Sequence, residues 1–165
     1  MLRRLVIDSI RKDPEWANGN YTKQPRSAQF ASVFYGLATL GGNQGLQRLA
    51  PTREKADALV DQRLGAPFPA DANDVLYQWE SSRDYNPSAG LERIEATLLA
   101  INSADDERTP LELGTLDREI RRVKKGQVYI IPGSENTAGH ATAYFARHWS
   151  KQLAALLQSV PRESK

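Results

Sequence analysis

Two short apolar runs, Ala96-Thr-Leu-Leu-Ala-Ile101 and Gln127-Val-Tyr-Ile-Ile131, constrain the fold more than any other feature of the chain. Each is nearly continuous rather than alternating, the pattern of a strand covered on both faces, as in a parallel sheet. An amphipathic stretch over residues 111 to 123 separates them. A longer one follows over about 140 to 158, with Ala143, Phe145, Trp149, Leu153, Leu156 and Leu157. The order strand, helix, strand, helix predicts an α/β architecture with two parallel strands, because parallel neighbours need a crossover between them. Two such strands on their own leave an edge and a face open, so further structure is expected to complete the sheet.

The preceding residues read as helical. Residues 1 to 12 place Leu2, Leu5, Val6 and Ile10 at helical spacing, and stop before Asp13-Pro14 because a residue preceding proline is pushed out of the α region. The pattern starts as if a helix were already under way at Met1. Residues 17 to 24 are turn chemistry, and a second helix is predicted over 26 to 40, with Phe30, Val33, Phe34 and Leu37 on one face and Gly41-Gly42 at its end. Thr52 is placed to N-cap a third helix running to Leu64, which Pro67 and Pro69 close. A fourth is predicted after Asp71, carrying Val75, Leu76 and Trp79. The predicted organisation is therefore a helical segment, 1 to 90, then a strand-helix-strand-helix segment, 91 to 165.

Charge narrows the function classes. With 22 Lys+Arg against 20 Asp+Glu the net charge is +2, and the signs are interspersed, so no nucleic-acid partner is expected. The one basic cluster, Arg121, Arg122, Lys124 and Lys125, falls at a predicted helix end, where cations favour the dipole. There is no cysteine and only two histidines, His140 and His148, so neither a metal nor another cofactor is expected. The N-terminal apolar stretch ends at Asp8, too short for a secretory h-region or a membrane span; with the natural N-terminus expected upstream this leaves the compartment open, the cytoplasm being the default.

In parallel sheets, functional groups gather in the loops leaving the C-terminal ends of the strands. Both strands deliver one: the first is followed by Asn102-Ser-Ala-Asp-Asp-Glu-Arg-Thr-Pro110, the second by Pro132-Gly-Ser-Glu-Asn-Thr-Ala-Gly-His140. An acid and then a histidine, 34 residues apart (140 − 106), is the chain order of a Ser-Asp-His triad in α/β-hydrolases. There the histidine takes the proton of a serine nucleophile and returns it to the leaving group, while the carboxylate holds the ring. Asp106 and His140 are the candidates, with Asp105 an alternative acid. The competing reading makes the carboxylates solvated loop or cap groups. His148 is assigned to the interior of the last helix as a structural residue.

Further segments extend this. Ile10-Arg-Lys-Asp-Pro-Glu-Trp16, Asn18-Gly-Asn-Tyr21 and Pro25-Arg26, then Asp71-Ala-Asn73 with Tyr77, then Leu98 to Pro110 and Gly139-His140, together resemble homoserine O-acetyltransferase-like proteins of the α/β-hydrolase superfamily, in consistent order over most of the chain. The resemblance implies that residues 1 to 90 form a helical lid and 91 to 165 the C-terminal part of an α/β-hydrolase core. It favours Asp106 over Asp105, since the family's acid usually stands four residues before the loop proline, here Pro110. It also implies that Asn73, Tyr77, Arg4 and more loosely Arg3 lie on the substrate side of the lid, that the substrate is a small ester or acyl-CoA, and that a homodimer forms through the lid helices.

Two departures shape the expected function. No Gly-x-Ser-x-Gly occurs in the 165 residues, so the serine and its oxyanion-hole loop are expected upstream of Met1. Ala141 follows His140, where the acetyltransferases commonly have an aspartate that helps to hold the amino-acid substrate, which points to a hydrolase or a different acceptor alcohol. The expectation is an acyltransferase or ester hydrolase whose acid and base lie in this chain and whose serine does not. The alternative is a non-catalytic remnant, or an association subunit completed by another polypeptide.

Overall fold

The computed structural model describes residues 1 to 160, in two compact units. The first comprises residues 1 to 38 and 48 to 85, the second residues 39 to 47 and the described residues from 86 on.

The first unit is helical. Helix α1 (Leu2–Arg11) ends at Lys12, and Asp13 then accepts a hydrogen bond from the Glu15 amide at 2.9 Å to open a 3₁₀ turn, Pro14–Gly19. Helix α2 (Arg26–Thr39) follows, α3 (Asn43–Leu49) straddles the division between units, and α4 (Arg53–Gly65) and α5 (Ala72–Ser81) complete the set. Thr52 caps α4 by accepting from the Lys55 amide. Asp71 caps α5 more fully: one carboxylate oxygen takes the Asn73 and Asp74 amides, and the other the Tyr21 hydroxyl.

Val6, Ile10, Ala28, Ala31, Ala72, Val75 and Leu76 form the core of this unit, with Trp16, Tyr35 and Trp79 packed against it. The face of α2 turned inward is thus Ala28, Ala31 and Tyr35, not the predicted Phe30 and Phe34, which are 62% and 51% exposed. Small side chains let a helix approach closely, and the alanine stripe has the i, i+3 spacing to do so.

The second unit carries the sheet. Strands β1 (Leu98–Ser103) and β2 (Gly126–Ile131) pair in parallel, from Leu98 opposite Gly126 to Ser103 opposite Ile131, as the continuous apolar runs predicted. Helix α6 (Thr115–Ile120) links them and α7 (Ser150–Ser159) follows. Arg122, just after α6, donates to Glu92 and Glu119 at 2.7 Å each and to the Ser88 hydroxyl, so the basic cluster contributes a clamp on the 3₁₀ turn Ser88–Arg93.

Two helices are shorter than the sequence predicts. The stretch 111 to 123 splits into a 3₁₀ turn, Leu111–Leu113, and α6, because Gly114 between them has φ +60, which the helix cannot continue through. The stretch 140 to 158 starts as two 3₁₀ turns, Ala141–Tyr144 and Ala146–His148, separated by an extended Phe145, and becomes α-helical only at Ser150. Thr142, Tyr144, Phe145, His148 and Trp149 are poor helix formers. The Trp149 indole donates to the Ala143 carbonyl across the break at 3.0 Å. His148 therefore sits in a 3₁₀ turn rather than inside the last helix. Helix α3 is masked in the sequence by Gly45 within it and by Gly41-Gly42 just before it.

Candidate active site

Parallel pairing decides where the polar groups collect. Because Ser103 stands opposite Ile131, the loops after β1 and β2 leave the sheet side by side. The buried polar side chains among the described residues, Thr39, Ser103, Asp106, Thr137 and Thr142, all belong to the second unit. Polar groups are buried without loss only when hydrogen-bonded, so this concentration implies a connected network.

Asp106 is its centre. Its carboxylate, 7% exposed, accepts from the Arg108 amide (2.8 Å), the Thr109 amide (3.1 Å) and the Thr109 hydroxyl (2.9 Å). It also meets the His140 ring, whose Nδ1 lies 2.9 Å from one carboxylate oxygen and 3.1 Å from the other. Burial pushes the Asp106 carboxyl up, but the hydrogen bonds from His140, Thr109 and Arg108 outweigh it and hold the group below the usual carboxylate range. Beside an ionised Asp106 the neutral imidazole keeps its proton on Nδ1, and in that tautomer Nε2 is the acceptor. Nε2 has no hydrogen-bond partner among the described residues, and the side chain is 29% exposed.

The neighbouring acids do other work. Asp105 accepts from the Ser103 hydroxyl, the Thr137 hydroxyl (2.8 Å) and the Gly139 amide (3.2 Å). Burial raises its carboxyl too, and these donors bring it below the ordinary value. Asp106, not Asp105, faces the imidazole. Glu107 accepts from the Gly42 amide and, through its other oxygen, from the His140 amide at 2.9 Å. Arg108 reaches the carbonyl and hydroxyl of Thr39 at 3.2 and 3.1 Å. A groove of about 580 Å³ opens at His140 and Asp106 and runs along β1, lined by Ala100, Ile101, Leu113 and Leu116.

No family model matches the sequence, and no curated protein does. Solved structures match the fold. A homoserine O-acetyltransferase from Bacillus anthracis superposes with TM-score 0.75 at 18% identity, over 94% of this chain and 48% of that one. The acetyl esterase MekB superposes with TM-score 0.65 at 18% identity, over 96% of this chain and 50% of that one. An α/β-hydrolase enzyme from a Medee basin deep-sea metagenome library gives TM-score 0.60 at 12% identity, over 99% of this chain and 52% of that one. The fold is that of the α/β-hydrolases. The chain spans about half the length of the solved structures it matches.

In the α/β-hydrolase fold, the order of functional groups along the chain is acid then histidine, each at the C-terminal end of a strand. Asp106 lies in the loop after β1 and His140 in the loop after β2. The remaining predicted residues lie in the first unit. Asn73 is engaged there: its carbonyl oxygen accepts from the Trp16 indole at 2.7 Å, and its amide donates to the Gly19 carbonyl at 3.0 Å. Arg4 pairs with Asp8 at 2.6 Å on an exposed face of α1, Arg3 donates to the Ser82 carbonyl, and the Tyr77 side chain is exposed. Sequence reasoning missed Glu107, Thr109, Thr137 and Gly42. Gly42, Glu107 and Thr137 act on partners 32 to 65 residues away, which no local pattern encodes, whereas Thr109 meets Asp106 within its own loop.

Proposed function

We propose that Asp106 and His140 are the acid and base of a Ser-Asp-His triad that transfers an acyl group from a small ester or acyl-CoA to water or an alcohol. The observation that carries this reading is the Nδ1–Asp106 contact of 2.9 Å combined with an unengaged Nε2. In this mechanism Nε2 takes the proton of a serine hydroxyl as the oxygen attacks the acyl carbonyl. The resulting imidazolium is stabilised by the ionised Asp106, and His140 then protonates the leaving alkoxide or thiolate. Water or an acceptor alcohol, deprotonated in turn by Nε2, releases the acyl group and restores the serine. Because these 165 residues contain no Gly-x-Ser-x-Gly, the nucleophile is assigned to a polypeptide segment outside them.

Ala141 in the place after the histidine supports ester hydrolysis, or a neutral acceptor alcohol, over transfer to an amino acid. Tyr77 and Arg4 are proposed to contact substrate, and Asn73 to act by holding the turn at Gly19. The test is hydrolysis of a chromogenic acetyl ester by the protein together with its serine-bearing segment. Asp106→Asn is expected to lower kcat by about 10⁴-fold and His140→Ala by about 10⁶-fold. Full activity after His140→Ala would overturn the triad, and would leave the association reading.

A further inference from the structure

We infer that Glu107 is a positioning residue that fixes the direction of His140 Nε2 by pinning the histidine's backbone while Asp106 pins its ring. The inference rests on the proposed role of His140 and deepens it.

A single contact at Nδ1 leaves the imidazole free to swing about that hydrogen bond, because the backbone can move and the two side-chain torsions follow it. Fixing the backbone amide as well removes that freedom, and then the direction of Nε2 is determined. Glu107 supplies the second point: Oε2 accepts from His140 N at 2.9 Å. Its other oxygen accepts from Gly42 N, so one carboxylate joins the acid loop, the histidine loop and the Gly41-Gly42 turn. Asp105 adds a third point by accepting from Gly139 N at 3.2 Å. Three successive acids thus hold two successive amides and one ring nitrogen.

The glycines around Glu107 show that the space is fitted to it. Gly139 has φ +54, and a Cβ there would stand 2.2 Å from Glu107 Oε2 and 2.5 Å from Gly42 N. At Gly42, with φ +68, a Cβ would stand 2.8 Å from Gly139 N. A side chain at Gly139 would force the Glu107 carboxylate out, and one at Gly42 would push the Gly139 backbone away from it. Placing Glu107 beside Asp105 and Asp106 works against charge repulsion, and charge-assisted bonds to amides 65 and 33 residues away offset it. A surface carboxylate without a positioning role has no need of these partners.

The test is NMR of the full chain. In the unsubstituted protein, the His140 amide nitrogen should show scalar coupling across the hydrogen bond to the Glu107 carboxylate carbon, and a low-field Nδ1 proton should mark the bond to Asp106. Glu107→Gln keeps one accepting oxygen and loses the other. Amide exchange at Gly42 or His140 should then accelerate about ten-fold, the change for losing roughly one charge-assisted bond, and the low-field proton should shift or broaden. Far-UV circular dichroism confirms that the variant is folded. Absence of the coupling in the unsubstituted protein, or an unchanged low-field proton and unchanged exchange in Glu107→Gln, would overturn the inference. These readouts need no turnover, so failure here is distinct from failure of the triad, which the activity of His140→Ala reports.

Discussion

At the scale of single residues, Asp106 gives a prediction with a definite sign. Its folded carboxyl titrates below the usual range, whereas in an unfolded chain it titrates near about 3.9. A depressed folded value adds stability that is fully present above the unfolded value and is lost as pH falls through the folded one. Melting temperatures followed from about pH 7 down to pH 3 should fall less steeply for Asp106→Asn than for the unsubstituted chain, and equal slopes would show that Asp106 carries no such linkage. A second contrast concerns glycine. Gly139→Ala must accept both φ +54 and a Cβ overlapping Glu107 and Gly42, whereas Gly114→Ala at φ +60 meets nothing within 4 Å. The Gly114 change should cost about 1 kcal/mol, and Gly139→Ala clearly more, measured by urea denaturation. Similar costs would mean that the close approach is relaxed. That an acid after β1 would meet His140 was legible from strand ends and chain order, and the resemblance singled out Asp106. Glu107 was not, since nothing in Asp-Asp-Glu distinguishes three jobs until Gly42 and Gly139 arrive from elsewhere.

At the scale of elements, capping chemistry and strand patterning were legible, and helix continuity was not. Asp71 and Thr52 stand where cap residues belong, and both cap. Their value should differ: Thr52 accepts one amide at 3.3 Å, while Asp71 accepts two amides and the Tyr21 hydroxyl. Thr52→Ala is expected to cost about 0.5–1 kcal/mol and Asp71→Ala about 2 kcal/mol by denaturant titration, with equal costs counting against the shared role of Asp71. The run at 127 to 131 reads as a strand because Val128, Tyr129, Ile130 and Ile131 are β-branched or aromatic, and the run at 96 to 101, richer in Ala and Leu, because so short an unbroken apolar stretch fits a strand covered on both faces. The break between His140 and Ser150 escaped the period-3.6 pattern. Apolar spacing reports only which residues seek cover, whereas Phe145 in an extended conformation ends one turn and starts the next. Likewise the Phe30 and Phe34 face of α2 yielded to Ala28 and Ala31, since bulk identifies a sticky face and closeness of packing selects the small one.

At the scale of the whole molecule, the apolar content exceeds what the described residues cover. Both strands have the composition of two-sided burial, yet most of their residues are only half-buried, and the outer edges of β1 and β2 pair with no strand among the described residues. A two-stranded sheet is marginal alone, and an open edge with apolar flanks is a template for another chain. In the second unit Leu113 and Leu157 are 67% and 56% exposed, and in the first Phe30 is 62% exposed. The isolated chain should therefore associate, with a mass by light scattering that rises across roughly the micromolar range in which exposed strand edges and apolar surface drive aggregation. Leu113 lines the groove beside β1 and is not buried, so Leu113→Lys should reduce the association while leaving the fold, and its circular dichroism, unchanged. A mass that stays at that of one chain throughout would show that the strand edge and the apolar surface are tolerated by water, and would remove the physical reason for expecting a partner at β1.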